Sequence, residues 1–120
     1  MKDLSSQEIF ELLWNHQTDE TGATPYEYYE GCRPKDRSWI VYFTAAWCGP
    51  CKRLDMAILD EVAKSKDLTI WKCDVVVNDY TSGYCGVKGF PTFMHFQPKK
   101  VVSTIQSNNT DEVSEWLLKQ

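Results

Sequence analysis

The chain has 120 residues, of which 42% are hydrophobic and 25% are charged, as is typical of one folded domain and not of a disordered chain. Its net charge of −4 at pH 7 leaves no basic stripe to follow a phosphate backbone, so we expect no binding to nucleic acid. The longest apolar stretch, 39–46, is far shorter than the roughly 20 residues of a membrane-crossing helix, so we expect no contact with a membrane.

The N-terminal third predicts one helix and a long loop. Ser5 and Glu8 have the spacing of a capping box, and apolar residues at helical intervals follow, so we predict a helix over about 6–16. Residues 19–37 are rich in glycine, proline and acids and have no hydrophobic period, which predicts a loop inserted into the domain. With its tyrosines and Cys32 this insertion could select partners, but the tolerance of surface loops for insertions favours an ordinary loop.

The middle of the chain predicts a strand–helix–strand unit. Residues 38–44 are β-branched and aromatic and are apolar on both faces, which is the pattern of a central strand. A helix is predicted from Pro50 to about Ser65, and 68–75 predict a second buried strand parallel to the first. The predicted buried stripe of the helix consists of Leu54, Ala57, Ile58 and Val62.

The C-terminal third predicts a short helix, a hairpin and a final helix. Asn78 or Asp79 can cap the short helix. Strands over 92–96 and 101–106 are separated by a loop of hairpin length. Apolar residues at helical spacing then predict a last helix, which Thr110 or Asp111 can cap.

Five cysteines in a chain without an apolar leader predict redox or metal chemistry in a reducing compartment, so we expect a cytoplasmic location. Only Cys48 and Cys51 are close in sequence. We expect Cys73, in a buried strand, to be inert, and Cys85 to be a free thiol, or else to oxidise or bridge two chains. A zinc site would need two more ligands at suitable spacing, so we expect no metal, and we expect His95 to face outward from its strand.

The two clustered cysteines lie where the first buried strand meets the predicted helix. Backbone N–H groups and the dipole at a helix start favour thiolate and lower the pKa of Cys48, which we expect to be the attacking sulfur. Cys51 lies one turn later on the same side and can close a disulfide. Pro50 suits the first helical turn, and Gly49 leaves the backbone open to a substrate. The pattern predicts thiol–disulfide exchange.

Two segments resemble the thioredoxin family: 42–52, which contains Trp-Cys-Gly-Pro-Cys, and 86–93, which is similar to the family's loop ending in a cis-proline. The resemblance is good over about 38–120 and weaker over the first helix. It implies one thioredoxin-like α/β domain over 1–120, with three α/β/α layers and a central mixed sheet of four or five strands.

The resemblance also implies roles for individual residues. Cys48 is the nucleophile, Cys51 is the resolving thiol, and Pro91 is cis and lies beside the sulfurs. An apolar docking surface surrounds the pair and consists of Trp47, Gly49, Pro50, Gly89 and Phe90. The alternative for the two aromatic residues is ordinary core packing. No bound cofactor is implied; a flavoprotein thioredoxin reductase would supply electrons to this monomer, and proteins containing disulfides would receive them.

One departure from the family concerns proton transfer. Tyr42 stands where the family has a buried aspartate that helps to deprotonate the resolving cysteine, and a tyrosine with a reference pKa near 10 is a poor base. Lys72 resembles the lysine partner of that aspartate. We therefore expect slow release of mixed disulfides, with water or Asp74 as a weak proton acceptor; the alternative is that Tyr42 only packs in its strand. No proline follows Pro50 in the predicted helix, so we expect a softer kink than is common in the family.

Three functions remain open at this point. A protein-disulfide reductase is favoured, because Gly-Pro between the cysteines resembles the reducing members of the family. The first alternative is an oxidant or isomerase of the same fold. The second is a redox-regulated module that binds partners through its apolar face.

Overall fold

A computed structural model of the chain describes most of its residues, namely 1–14, 38–97 and 100–120. The predicted insertion at 19–37, Cys32 and the end of the first predicted helix lie outside the described residues.

Five strands form one mixed sheet: β1 (Lys2–Asp3), β2 (Trp39–Thr44), β3 (Thr69–Asp74), β4 (Thr92–Gln97) and β5 (Lys100–Gln106). Their order across the sheet is β1-β3-β2-β4-β5. β3 pairs in parallel with both β1 and β2, whereas β4 is antiparallel to both β2 and β5. The predicted mixed sheet is confirmed with five strands.

Helices cover both faces of this sheet: α1 (Gln7–Trp14), α2 (Met56–Ser65), α3 (Asp79–Tyr84) and α4 (Thr110–Leu118), with a 3₁₀ helix at Pro50–Arg53. Side chains of α1 join the core on one face, where α3 also lies, and side chains of α2 and α4 join the core on the other. The three-layer α/β/α architecture is therefore confirmed.

β2 joins the two cores because it is buried on both sides. Val41 and Phe43 belong to the core under α1, together with Phe10. Ile40 and Tyr42 point the other way, into the core under α2 and α4. Alternate residues of one strand thus hold the two layers of helices, as the two-sided apolar pattern predicts.

Two helix starts differ from the prediction. Ser6, not Ser5, caps α1, and Asn109, not Thr110 or Asp111, caps α4. Asn78 caps α3 as predicted. In each case the side-chain oxygen accepts a hydrogen bond from the N–H three residues on, at 3.0 to 3.2 Å. Each polar residue sits beside a second possible cap, so the sequence leaves the choice between neighbours open.

The predicted helix from Pro50 to Ser65 is wrong, because two separate helices lie there. Leu54 is extended, with φ −80° and ψ 135°, and it separates the 3₁₀ helix from α2. Asp55 then caps α2, its Oδ1 accepting from the backbone N–H three residues on at 3.3 Å. The backbone N–H of Asp55 donates to Oγ1 of Thr110 at 3.0 Å, which ties the start of α2 to the start of α4.

This break changes which side chains of α2 are buried. Leu59 and Ala63 are buried against the sheet, whereas Ile58, which the continuous helix places inward, is exposed. Of the predicted stripe, Leu54 is buried and Val62 packs against the same core, as predicted. Ala57 and Ile58 are exposed, because the prediction extended one helical period across a break.

His95 is buried, so the prediction that it faces outward is wrong. Its Nδ1 lies 3.1 Å from Oε1 of Gln120, which follows α4. Desolvation by burial lowers the pKa of His95, and the contact with Gln120 opposes this shift only in part. Its Nε2 is buried without a hydrogen-bond partner among the described residues.

Candidate active site

The two clustered cysteines lie just after the carboxyl end of β2. The backbone N–H of Cys48 donates to the carbonyl of Ala45 at 2.9 Å, which closes a tight turn after the strand. The 3₁₀ helix follows directly and contains Cys51. The two residues are joined by a disulfide, and their Cα atoms are 5.4 Å apart. The structure thus brings together the pair that the three-residue spacing predicts.

A backbone N–H is directed at the first sulfur. The N–H of Cys51 donates to Sγ of Cys48 at 3.2 Å. Because the extended Leu54 interrupts the helical conformation, the helix that contains Cys51 is the four-residue 3₁₀ helix and not the long helix that the sequence predicts. Stabilisation of negative charge on Cys48 therefore depends on this local N–H group more than on a long helix dipole.

A cavity of about 470 Å³ opens onto this pair. Its lining residues are Trp47, Cys48, Gly49, Pro50, Lys88, Gly89 and Phe90. A second cavity of about 230 Å³ adjoins Pro50 and Phe90 on the side of Pro91. All five residues of the predicted docking surface therefore line one of these two cavities, and so does Pro91.

Two aromatic residues form the rim of the larger cavity. Trp47 is 68% exposed, and its ring meets the ring of Phe90 edge-on, with the centroids 5.7 Å apart. Phe90 is half-buried and packs against the cluster of Ala45, Cys48 and Cys51. The alternative in which Trp47 is a core aromatic residue does not describe its place in the structure.

The loop before β4 lies opposite the cysteines. The peptide bond between Phe90 and Pro91 is cis. Oγ1 of Thr92 donates to the carbonyl of Gly89 at 2.7 Å, which fixes this loop to the start of the strand. A Cβ atom at Gly89 would meet the flexible amide end of the Gln106 side chain, so the hairpin and the loop lie close together at this point.

Of the three residues proposed from sequence for proton transfer, Tyr42 belongs to a different core cluster from the cysteines. Tyr42 is buried in the core under α2 and α4, where its ring stacks on Phe93 with the centroids 4.8 Å apart; burial raises its pKa. Lys72 and Asp74 line a separate cavity of about 260 Å³ beside β1. The Asp74 carboxylate accepts from the N–H of Val76 at 2.9 Å.

The two other described cysteines are thiols that belong to or pack against the core under α1. Cys73 is fully buried and its Sγ lies 3.5 Å from the carbonyl of Asn78. Cys85 is half-buried at the end of α3. Burial raises the pKa of each thiol to about 12, so both are protonated at neutral pH.

Sequence reasoning missed four of the lining residues, namely Lys88, Gln106, Ser107 and Asn108. Lys88 lies in the loop that carries Pro91, and that position is the signal that could have identified it. The other three become neighbours of the site only because β5 pairs with β4.

The described residues contain neither a group of side chains placed to hold a metal ion nor a helix that could cross a membrane. Within 1–14, 38–97 and 100–120, no group of three or more His, Cys, Asp or Glu side chains is placed to hold a metal ion. No helix in the same part of the chain is long and apolar enough to cross a membrane.

Comparisons with known proteins agree with this geometry. The thioredoxin family model matches residues 21–119. The chain is 26% identical to thioredoxin H-type 1 of Nicotiana tabacum over 117 residues, which are 98% of this chain and 90% of that protein. It is 32% identical to a thioredoxin of Geodia cydonium over 68 residues, which are 57% of this chain and 64% of the sponge protein. The crystal structure of Fasciola hepatica thioredoxin has the same fold, with a TM-score of 0.72, 24% identity and coverage of 99% of this chain and 98% of that one.

Proposed function

The chain belongs to the thioredoxin family, and on this basis we propose that it reduces disulfides in partner proteins by exchange at Cys48 and Cys51. The family and the close cysteine pair support thiol–disulfide oxidoreductase activity in general. The observation that carries the proposal is the disulfide between Cys48 and Cys51, of which Cys48 lines an open cavity.

The proposed reaction has two exchange steps. The Cys48 thiolate attacks one sulfur of the substrate disulfide; a bond forms between them, and the other substrate sulfur leaves as a thiolate and takes up a proton. Cys51 then loses its proton and attacks Sγ of Cys48, which releases the second substrate sulfur as a thiol. Two electrons and two protons pass to the substrate, and the protein is left with the Cys48–Cys51 disulfide.

The choice of Cys48 as the nucleophile has two supports. Its Sγ accepts the N–H of Cys51, which stabilises a thiolate there. Cys48 also lines the larger cavity, whereas Cys51 does not. Cys51 is then left to resolve the mixed disulfide from within the same turn.

We propose that the substrate lies in extended form across both cavities. Phe90, next to Pro91, offers its backbone groups to the substrate chain. The exposed ring of Trp47 covers apolar side chains on the other side of Cys48. Gly49 and Gly89 leave space for the approaching backbone, since neither carries a side chain.

The remaining parts of the proposal follow from this chemistry. The domain, spanning residues 1–120, works as a monomer without a bound cofactor, because the two sulfurs themselves carry the electrons. A flavoprotein thioredoxin reductase, as the family resemblance implies, returns the protein to its dithiol form. A cytoplasmic location suits this cycle, since a reducing compartment keeps the pair reduced.

The reduction potential of the pair tests the direction of the reaction. The protein is equilibrated in redox buffers, and the thiols are trapped and assigned to individual cysteines by mass spectrometry. A value near −270 mV is expected for a reductant. A value between about −180 and −120 mV would instead identify an oxidant or isomerase.

Turnover of a disulfide-bonded peptide separates catalysis from simple binding. Cys48→Ser should abolish reduction, Cys51→Ser should accumulate a mixed disulfide, and the matched control Cys85→Ser should keep the wild-type rate. A wild-type protein that binds the peptide but never reduces it would support the binding module instead.

A further inference from the structure

The segments that line the two cavities carry positive charge only. Three segments contribute to the lining or adjoin it, and they contain three cationic residues and no acid: 45–53, 87–91 and 106–108, with Lys52, Arg53 and Lys88. The whole chain has the opposite sign, with a net charge of −4. The face that meets the substrate is therefore locally positive on an acidic protein.

Of the three cations, Lys88 is the one that lines the larger cavity. It lines the same cavity as Cys48 and it is exposed. Lys52 and Arg53 follow the second cysteine directly and are also exposed. Among the described residues, none of these three cations takes part in an ion pair.

The acidic residues nearest in sequence, Asp55 and Asp74, line neither cavity. Asp55 accepts the N–H that begins α2, at 3.3 Å, and Asp74 accepts the N–H of Val76 at 2.9 Å. Val76 and Val77 are exposed next to Val75, which packs against the cysteine cluster, and they add no charge. Among the described residues that line the two cavities, Lys88 is then the only charged one, so the lining itself offers a single positive charge to a substrate.

We propose that this site selects substrates in which acidic residues flank the disulfide. The inference rests on the proposed function and names its substrate class: acidic protein segments that carry an accessible disulfide. A carboxylate that approaches Lys88 is attracted, whereas a cationic side chain at the same place is repelled. Because the cations are exposed, each charge pair changes the rate only a few-fold.

Three peptides test this selection directly. They have one sequence with one internal disulfide, and the positions beside the cysteines carry Glu, Gln or Lys. The protein is reduced with dithiothreitol and freed of it, and the second-order rate constant for reduction of each peptide is measured at low salt. Each constant is divided by that of the same peptide with dithiothreitol, which corrects for the intrinsic reactivity of its disulfide. The Glu peptide should react about fivefold faster than the Lys peptide.

A pair of matched variants locates the effect. Lys88→Glu should reverse the order of the Glu and Lys peptides. Lys100→Glu makes the same change in net charge at the other end of β5, and it should leave the order unchanged. In 1 M salt, where the Debye length is about 3 Å, the preference should shrink toward one.

The outcomes separate this inference from the proposed function. Equal corrected rates for all three peptides would overturn the selection and leave the reductase standing. Equal shifts in Lys88→Glu and Lys100→Glu would also overturn it, since net charge would then be the cause. Reduction of none of the peptides would overturn both proposals.

Discussion

The four described cysteines occupy two regions of this protein that differ in what surrounds the sulfur. Cys48 and Cys51 follow the end of β2, beside a cavity and within reach of a backbone N–H. Cys73 and Cys85 lie on the face covered by α1 and α3, where desolvation raises the pKa of each thiol to about 12.

Solvent exposure alone does not distinguish these regions. Cys48 is only 3% exposed, less than the half-buried Cys85. What Cys48 has in addition is an N–H donor at 3.2 Å and a cavity on its open side. A thiol becomes reactive where its negative charge is stabilised and a partner can approach the sulfur. Partial exposure by itself does not stabilise that charge.

Alkylation of the reduced protein at pH 7 is the strongest test of the difference in reactivity between the two groups of cysteines. Cys73 and Cys85 should react about a thousandfold more slowly than an ordinary thiol, because a pKa raised from 9.0 to about 12 lowers the thiolate fraction by three powers of ten. Cys48 should react fastest. Iodoacetamide labelling with peptide mapping by mass spectrometry measures all of them in one sample.

The pH dependence of the same labelling provides the control. Below its pKa, the thiolate fraction of Cys85 rises about tenfold per pH unit. The labelling rate of Cys85 should therefore also rise about tenfold per pH unit between pH 7 and 9. Labelling of Cys85 at the rate of Cys48 at pH 7 would show that the two regions do not differ.

A smaller effect is expected at Tyr42, a core residue that we predict to limit the rate of the second exchange step. Tyr42→Asp should speed the release of substrate from the mixed disulfide by about tenfold, because a carboxylate accepts a proton that the tyrosine does not. Stopped-flow measurement of the second exchange step tests this. Urea unfolding is needed alongside, since loss of a buried ring costs about 3–5 kcal/mol.

Tyr42→Phe is the matched control for that change. It keeps the ring on Phe93 and removes only the hydroxyl, so its release rate should stay within about twofold of wild type. Equal rates for Tyr42→Asp and wild type would mean that this position does not limit the second step.

The smallest predicted effect concerns His95, which shares the desolvation of the buried thiols. Its folded pKa lies below 6.5, so the unfolded chain binds a proton that the native protein resists. Stability should therefore fall as the pH drops through the unfolded pKa of about 6.5, by about 1 kcal/mol between pH 7.5 and 5.5. Urea unfolding of wild type and His95→Gln at both pH values measures it. A variant that loses as much stability as wild type would rule out His95 as the cause.

Most of the fold follows from patterns that need no tertiary information. The two-sided apolar strand at β2 and the Asn78 cap of α3 are examples. β1 could not be predicted, because two residues show no period. The burial of His95 could not be predicted either, since Gln120, which contacts its Nδ1, comes from the far end of the chain.

The site divides in the same way. The pairing of Cys48 with Cys51 follows from a local spacing, and the docking loop follows from a local resemblance. The break at Leu54 has a local signal that a strong helical period concealed, namely Asp55 as a cap. The cavity wall formed by Gln106 has none, because it depends on the pairing of β5 with β4.

The tie between Asp55 and Thr110 has a consequence for how the protein responds to oxidation. It joins the N-cap residue of α2 to the first residue of α4, just beyond the extended Leu54. We therefore expect any change in the 3₁₀ helix on reduction of the disulfide to end at Leu54. The starts of α2 and α4 should then keep the same relative position in both oxidation states.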